Sequence, residues 1–290
     1  MVDEVIKALH INKAHPPAGE AGKYIDATLG TGGHSIEILK RGGKVLGIDL
    51  DPKIVEIATK RIKKEFGDTA EFTAVTGNFV DIDRIAKENG YERVSGILMD
   101  LGVSNLHIKD LERGFSFLNR EAPLDMRINP EVQGVKASDL LNALREDQLR
   151  DLFGVTLDPG AARWIAKRVE QLRSIKPILK VGDMLEVCEG LRTGKHGLHE
   201  ATLPFLALRI AVNSELENLK KVLPKAYDLL EPGGRLIVIT FHSGEDKIVK
   251  DFMIGRGKQE YVPVSASEVS TNPRSRSAKM RVIEKYEKDN

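Results

Sequence analysis

Ten residues near the N-terminus have the types and spacing to hold a charged cofactor: Asp26-Ala-Thr-Leu-Gly30-Thr-Gly32-Gly33-His34-Ser35. They follow a short extended run and open a helical pattern. Glycines let the backbone turn sharply and approach a ligand closely. The first N–H groups of the helix beyond have no partner within the helix, so a carboxylate or phosphate is favoured there. Asp49 stands 19 residues after Gly30, at the end of the next apolar run, where a carboxylate can accept both hydroxyls of an adenosine ribose. Asp51, directly before Pro52, is better placed than Asp49 to cap a helix. The arrangement fits two cofactors, a dinucleotide or S-adenosylmethionine. A dinucleotide fingerprint wants a third glycine three residues after the second, and Ser35 stands there instead. Asp26 within the turn would repel a pyrophosphate but attract an ammonium or sulfonium. These residues favour methyl transfer, with hydride transfer by a nicotinamide enzyme as the alternative.

Two further apolar runs end in residues suited to the same edge of a sheet. One leads into Gly77-Asn78-Phe79, where the phenyl ring could cover an adenine. The other ends at Asp100-Leu-Gly102-Val-Ser104, where a transferred methyl would lie. A carboxylate directly after an apolar strand needs a partner to justify its burial. His34, His242, Asp49 and Asp100 fall at separate strand ends without ligand spacing on one helix, so no metal is expected. The single cysteine, Cys188, lies among Met184, Leu185, Val187 and Leu191, the setting of a buried small hydrophobe.

The elements that must position these residues alternate over the first hundred positions. Strands are expected at 24–29, 44–50, 71–75 and 94–99, with helices from 35, from Pro52 and over 81–88. Such alternation implies right-handed crossovers and a parallel sheet covered on both faces. From 105 to 205 no strand pattern appears, and helices are expected over 137–153, 161–172 and 181–191. A long helix over 206–226, a turn at Pro232-Gly233-Gly234 and strands over 235–241 and 279–286 complete the pattern. The economical organisation is one α/β domain formed by 1–104 and 206–290, interrupted by a helical insertion over 105–205.

Composition is that of a globular protein, 41% hydrophobic and 30% charged, and no apolar run approaches the length of a membrane span. The first ten residues read as an amphipathic helix carrying acids rather than a signal peptide, so a cytoplasmic location is expected. The net charge of +1 advertises no global field for nucleic acid. Charge is uneven, however. Arg163, Lys167, Arg168, Arg173, Lys176 and Lys180 are accompanied between 161 and 180 only by Glu170, and Arg274, Arg276, Lys279 and Arg281 cluster near the C-terminus. A solvated helix face and a charged tail would explain these runs equally well.

Several blocks then carry a resemblance. They are Asp100-Leu-Gly-Val-Ser104, Arg113-Gly-Phe-Ser-Phe117, Pro123-Leu-Asp-Met-Arg127, Ala207-Leu-Arg-Ile210 with Val212-Asn213-Ser-Glu-Leu216, Phe241-His-Ser243 with Glu245-Asp246, and Asn272-Pro-Arg-Ser-Arg276. In this order, and over nearly the whole chain, they resemble the RsmH (MraW) family of bacterial methyltransferases, which act on the exocyclic N4 of a cytidine in the decoding centre of 16S rRNA. The resemblance implies a class I (Rossmann-like) S-adenosylmethionine methyltransferase sheet with an inserted all-helical domain that binds substrate. It implies cofactor contacts from Gly32, Gly33, His34, Asp49, Phe79, Asp100 and His107, the last where the family usually has glutamine. The partner implied is 16S rRNA in the small ribosomal subunit. Asp100 is expected to polarise the target amine, and His242 with Ser243 to shape the pocket wall. Leu203 and Leu206 replace a family arginine and glutamine, and Asp158-Pro159-Gly160 replaces a Gly-Glu-Glu segment. The chain starts where family members have already run several residues, so Met1 is expected to be an internal or late start. A methyltransferase of the same fold with another RNA or protein substrate, and a non-catalytic ribosome-assembly factor, are the alternative functions.

Overall fold

Strands rich in Val, Ile and Leu between amphipathic helices leave few arrangements other than a parallel sheet clad on both faces. The computed structural model describes residues 1–11, 22–193 and 197–286, apart from the side chains at 266, 267, 271, 273 and 274. It divides into two units, Met1–Gly102 with Leu216–Asn290, and Val103–Glu215.

In the first unit, α1 (Val2–Ala8) precedes β1 (Lys23–Asp26), α2 (Gly33–Lys40), β2 (Lys44–Asp49), α3 (Pro52–Phe66), β3 (Phe72–Thr76), α4 (Ile82–Glu88) and β4 (Val94–Asp100). The second unit contributes α5 (Asn105–Lys109), α6 (Ala137–Ala143), α7 (Glu146–Gly154), α8 (Pro159–Arg173), α9 (Val181–Cys188) and α10 (Thr202–Val212). The chain continues through α11 (Glu215–Leu229), β5 (Leu230–Thr240), α12 (Ser243–Met253), β6 (Lys258–Pro263), α13 (Ala266–Thr271) and β7 (Lys279–Glu284). Among the described residues no helix is long and apolar enough to cross a membrane.

The seven strands run in the order β3-β2-β1-β4-β5-β7-β6. β1 to β5 are parallel, while β7 is antiparallel to both β5 and β6. This is the class I methyltransferase sheet, with the all-helical unit inserted after β4. Alternate strand residues serve opposite faces. Ile97 and Met99, with Leu236 and Val238, meet α4, α11 and α12. Leu98, with Ile237 and Ile239, meets α1, α2 and α3. Strand order reverses between β1 and β4, which opens a crevice at their carboxyl ends, the place where open α/β sheets bind ligands.

Several elements differ from expectation. The turn at Pro232-Gly233-Gly234 is absorbed into β5, whose pairing with β4 shifts register between Val94 and Gly96. β6 escapes the pattern because it is an edge strand with almost every side chain exposed, so no apolar alternation marks it. The helix expected over 137–153 breaks at Leu144, which is extended, and restarts where Arg145 N–H donates to Gln148 Oε1 at 3.1 Å. The helix expected over 206–226 is two, separated at Ser214, whose φ of 50° no helix accommodates. The boundary expected at 205/206 lies at 215/216, because Leu203, Phe205, Ala207 and Leu208 of α10 belong to the core of the helical unit. That core gathers Leu141, Leu149, Phe153, Ile165, Val169, Met184 and Cys188, and burial pushes the Cys188 thiol well above its usual range.

Candidate cofactor site and catalytic residues

The glycine turn is held from below. Asp49 Oδ2 accepts from Gly30 N–H at 2.9 Å and its Oδ1 accepts from Asp51 N–H at 3.0 Å. The end of β2 thus sets the Asp49 carboxylate directly against the glycine turn. Asp51, as its position before Pro52 implied, caps α3 by accepting from Lys53 N–H at 2.9 Å. Gly32 caps α2 with φ of 79°, and a Cβ there would also press on Ile62 at 3.3 Å. A Cβ added at Gly33 would meet nothing within 4 Å. Close approach of a ligand to the start of α2 is therefore possible at Gly33 and would be lost with any larger residue. Gly77 N–H donates to Asp49 O at 2.9 Å, which ties the end of β3 to the end of β2. Asn78 then accepts from Val80 N–H at 3.0 Å and starts the short turn that carries the half-buried Phe79 ring.

Asp26 and Ser35, which at sequence level only discriminated between cofactors, are partners. Both are fully buried, and the Ser35 hydroxyl donates to Asp26 Oδ2 at 2.7 Å. Asp26 is thus the last residue of β1 beneath the turn, rather than a side chain displayed within it. Burial pushes its carboxyl up to about 6, against the opposing Ser35 and Thr28 hydrogen bonds. At the end of the neighbouring strand, Asp100 N–H donates to Thr28 Oγ1 at 2.7 Å. Burial, with the Asp26 charge next in importance, pushes the Asp100 carboxyl up to about 7. His34, the second residue of α2, is held down to about 4 by burial and is neutral.

Three buried side-chain atoms around this turn make no hydrogen bond: Asp26 Oδ1, His34 Nε2 and Asp100 Oδ1. Buried polar groups ordinarily pair with protein, with ordered water or with a ligand. Two acceptors and a neutral imidazole around a glycine turn suit a ligand with cationic and donor groups. They do not suit a pyrophosphate, which would bring two negative charges against Asp26 and Asp100.

His242 caps α12. Its Nδ1 accepts from Glu245 N–H at 3.4 Å, while the buried Glu245 Oε2 accepts from Phe241 N–H at 2.8 Å. His242 Nε2 lies 3.2 Å from Glu245 Oε1 without hydrogen-bond geometry. Ser243 is exposed at the first turn of α12. Gly102, with φ of 104°, packs beside Phe241, where a Cβ would stand 3.7 Å from the ring.

In the helical unit, His107 is buried and its ring stacks on Phe115 at 5.4 Å between centroids. Residues of the family-resemblance blocks at 113–117, 123–127 and 207–216 lock a loop. Arg113 donates to Arg127 O and Ile128 O, and Asp125 holds Arg127 at 2.7 and 2.8 Å. Asn213 accepts from Ile128 N–H and donates to Met126 O at 2.9 Å. Gly114 is obligatory there, since a Cβ would sit 2.6 Å from Pro123 O. Leu203 is a core residue and no longer a polar contact.

The basic stretches shrink when their partners are seen. Arg173 is spent on Leu141 O, Leu144 O and Glu170, Lys176 on Asp183 and Glu186, and Lys180 on Glu121. Arg163 and Lys167 are exposed without an ion pair among the described residues, beside the exposed Trp164. Arg168 lies 5.9 Å from the Trp164 ring. Near the C-terminus, Asp246 takes Lys279 at 3.0 Å and Arg281 at 2.7 Å. Arg276 is exposed, and the Arg274 side chain lies outside the described residues. Sequence reading gave no role to Thr28 or Asp246, because contacts distant along the chain, with Asp100 and with Lys279 and Arg281, supply them, and it left Glu245 without its part in the α12 cap.

Residues 1–266 match the model of the MraW methylase family. The ribosomal RNA small subunit methyltransferase H of Methylacidiphilum infernorum is 44% identical over 282 residues, covering 90% of this chain and 87% of that one. The protein of the same name from Dehalococcoides mccartyi is 40% identical over 291 residues, covering 91% and 81% respectively. That from Dictyoglomus thermophilum is 39% identical over 297 residues, covering 99% and 96%.

Proposed function

Because the chain belongs to the MraW methylase family, we propose that it is an S-adenosylmethionine-dependent methyltransferase of ribosomal RNA, acting in the cytoplasm on the exocyclic N4 of a cytidine in the decoding centre of 16S rRNA. The observation that carries this reading is the pair of strand-end carboxylates under the glycine turn, with Asp100 Oδ1 buried and unbonded at the β1/β4 crevice.

Gly32, Gly33, His34, Asp49, Phe79 and Asp100 would hold the cofactor: backbone N–H groups for its carboxylate, Asp49 for the ribose hydroxyls and Phe79 for the adenine. His107 is a proposed contact by its family position alone. Bound S-adenosylmethionine supplies an electrophilic methyl group. A cytosine amino group is a poor nucleophile because its lone pair is delocalised into the ring. Productive geometry requires that nitrogen in line with the methyl at about 3 Å. Asp100 accepts the amine N–H as the nitrogen becomes tetrahedral, and a carboxyl that titrates near 7 is well matched to that task. His242 and Ser243, fixed by the cap at Glu245, shape the wall of the pocket.

The helical unit is the proposed substrate-recognition domain, with its Arg163 and Lys167 as phosphate contacts, and Arg276 of the sheet unit is a further proposed phosphate contact. The target cytidine must be unstacked to enter the pocket. Labelled methyl transfer to unmodified small ribosomal subunits, with the product nucleoside identified by mass, tests the reading. N4-methylcytidine in 16S rRNA is the expected product. Cofactor binding without label in that RNA would refute it and favour another substrate or an assembly factor.

A further inference from the structure

Resting on the proposed cofactor, we infer that Asp26 and Asp100 form one proton-sharing pair that tells S-adenosylmethionine from S-adenosylhomocysteine by charge, holding a proton against the neutral thioether and releasing it against the sulfonium.

The two carboxylates end adjacent strands. Asp26 lies opposite Leu98 in the β1–β4 ladder, Ala27 N–H donates to Leu98 O at 2.9 Å, and Thr28 receives Asp100 N–H at 2.7 Å. Each presents one buried oxygen that makes no hydrogen bond. Two carboxylates so placed cannot both ionise without cost, and the pair titrates as a unit. Ser35 donates to Asp26, and among the described residues Asp100 Oδ1 has no such donor. The negative charge therefore settles first on Asp26 and the proton on Asp100, in line with carboxyls raised to about 6 and about 7.

The other charged groups that face the pair do not cancel this. Asp49 on β2 acts on Asp26. Glu245 of α12 and Glu268 of α13 act on Asp100 in the same direction, raising it, and the Met1 ammonium opposes them. That ammonium is itself paired with Glu268 at 2.7 Å. His34 is neutral and adds no charge. The pair is thus short of positive charge. The two ligands share a carboxylate and an ammonium and differ by one positive charge at sulfur. A cation placed beside the pair lowers its second ionisation, so binding of the sulfonium ligand expels a proton that binding of the thioether leaves in place.

Calorimetric titration of the wild-type protein with each ligand at pH 6.5, in two buffers of different ionisation enthalpy, counts the protons directly. The sulfonium ligand is expected to release more protons than the thioether, by a difference approaching one. The ratio of their affinities should fall as pH is lowered from 8 to 5.5, by at most about tenfold per unit for one linked proton. Asp26→Asn should flatten that ratio. Equal proton release and a flat wild-type ratio, with both ligands bound, would overturn the pair and leave the cofactor assignment standing. Failure of both ligands to bind would overturn both.

Discussion

Ser35→Ala tests whether Asp26 is a buried, titrating carboxyl. The substitution removes one oxygen from a fully buried site and deletes the hydroxyl that donates to Asp26 Oδ2 at 2.7 Å. Because the folded carboxyl is raised to about 6 from 3.8, the folded state binds a proton that the unfolded chain has already lost. Stability contributed by that proton is therefore present at low pH and falls as pH rises through about 6. Below that pH the lost bond joins two neutral groups and its removal costs about 0.5–1.5 kcal/mol. Above it the acceptor is a buried anion and the cost rises to about 1.5–3 kcal/mol. Alanine's better helix propensity in α2 offsets up to about 0.5 kcal/mol at every pH, so it cancels in the comparison. Urea unfolding at pH 5 and pH 8 should be followed by circular dichroism, since the only tryptophan, Trp164, lies in the helical unit. The difference between variant and wild type should grow by about 1 kcal/mol or more between the two pH values. A loss independent of pH would refute the titration of Asp26.

Asp100→Asn should slow methyl transfer far more than it weakens cofactor binding, since it removes the acceptor for the amine proton; equal losses in single-turnover rate and in cofactor affinity would sink that role. Charge reversal at Arg163 and Lys167, exposed cations of α8 without an ion pair among the described residues, should weaken binding to small-subunit RNA in a salt-dependent way and leave cofactor affinity unchanged. A filter-binding series in salt decides this, and a change confined to the cofactor would contradict it. Phe153→Ala, in the fully buried centre of the helical unit, should cost about 3–5 kcal/mol, read as an earlier unfolding transition in Trp164 fluorescence.

Much of the molecule was legible because its signals are local. Alternating strands and helices, the glycine turn, and acids at the ends of apolar runs are all set by neighbours within a few residues, and they sufficed for the α/β class and the cofactor edge. The family blocks extended this to the expected chemistry. What they could not reveal was why many of those blocks are present. Arg113, Arg127 and Asn213 carry the family resemblance without a stated role, and in the structure they spend their hydrogen bonds locking one loop of the helical unit. β6 and the break at Ser214 went unseen, since an exposed edge strand has no apolar period and one left-handed residue leaves no mark in composition.

Charge shows the division most clearly. Along the chain Arg173, Lys176 and Lys180 look the same as Arg163 and Lys167, and only the folded chain shows Glu170 with the Leu141 and Leu144 carbonyls around Arg173, Asp183 and Glu186 around Lys176, and Glu121 against Lys180. Asp26 and Ser35 likewise appeared nine residues apart as separate hints about a ligand. Folding places them in contact with water excluded, and burial then raises the Asp26 carboxyl. The sequence determined which residues stand at the ends of which strands. Tertiary structure alone decided which of them are paired, which are desolvated and which remain to meet a ligand, because hydrogen-bond partners and exclusion of water are properties of segments brought together from far along the chain.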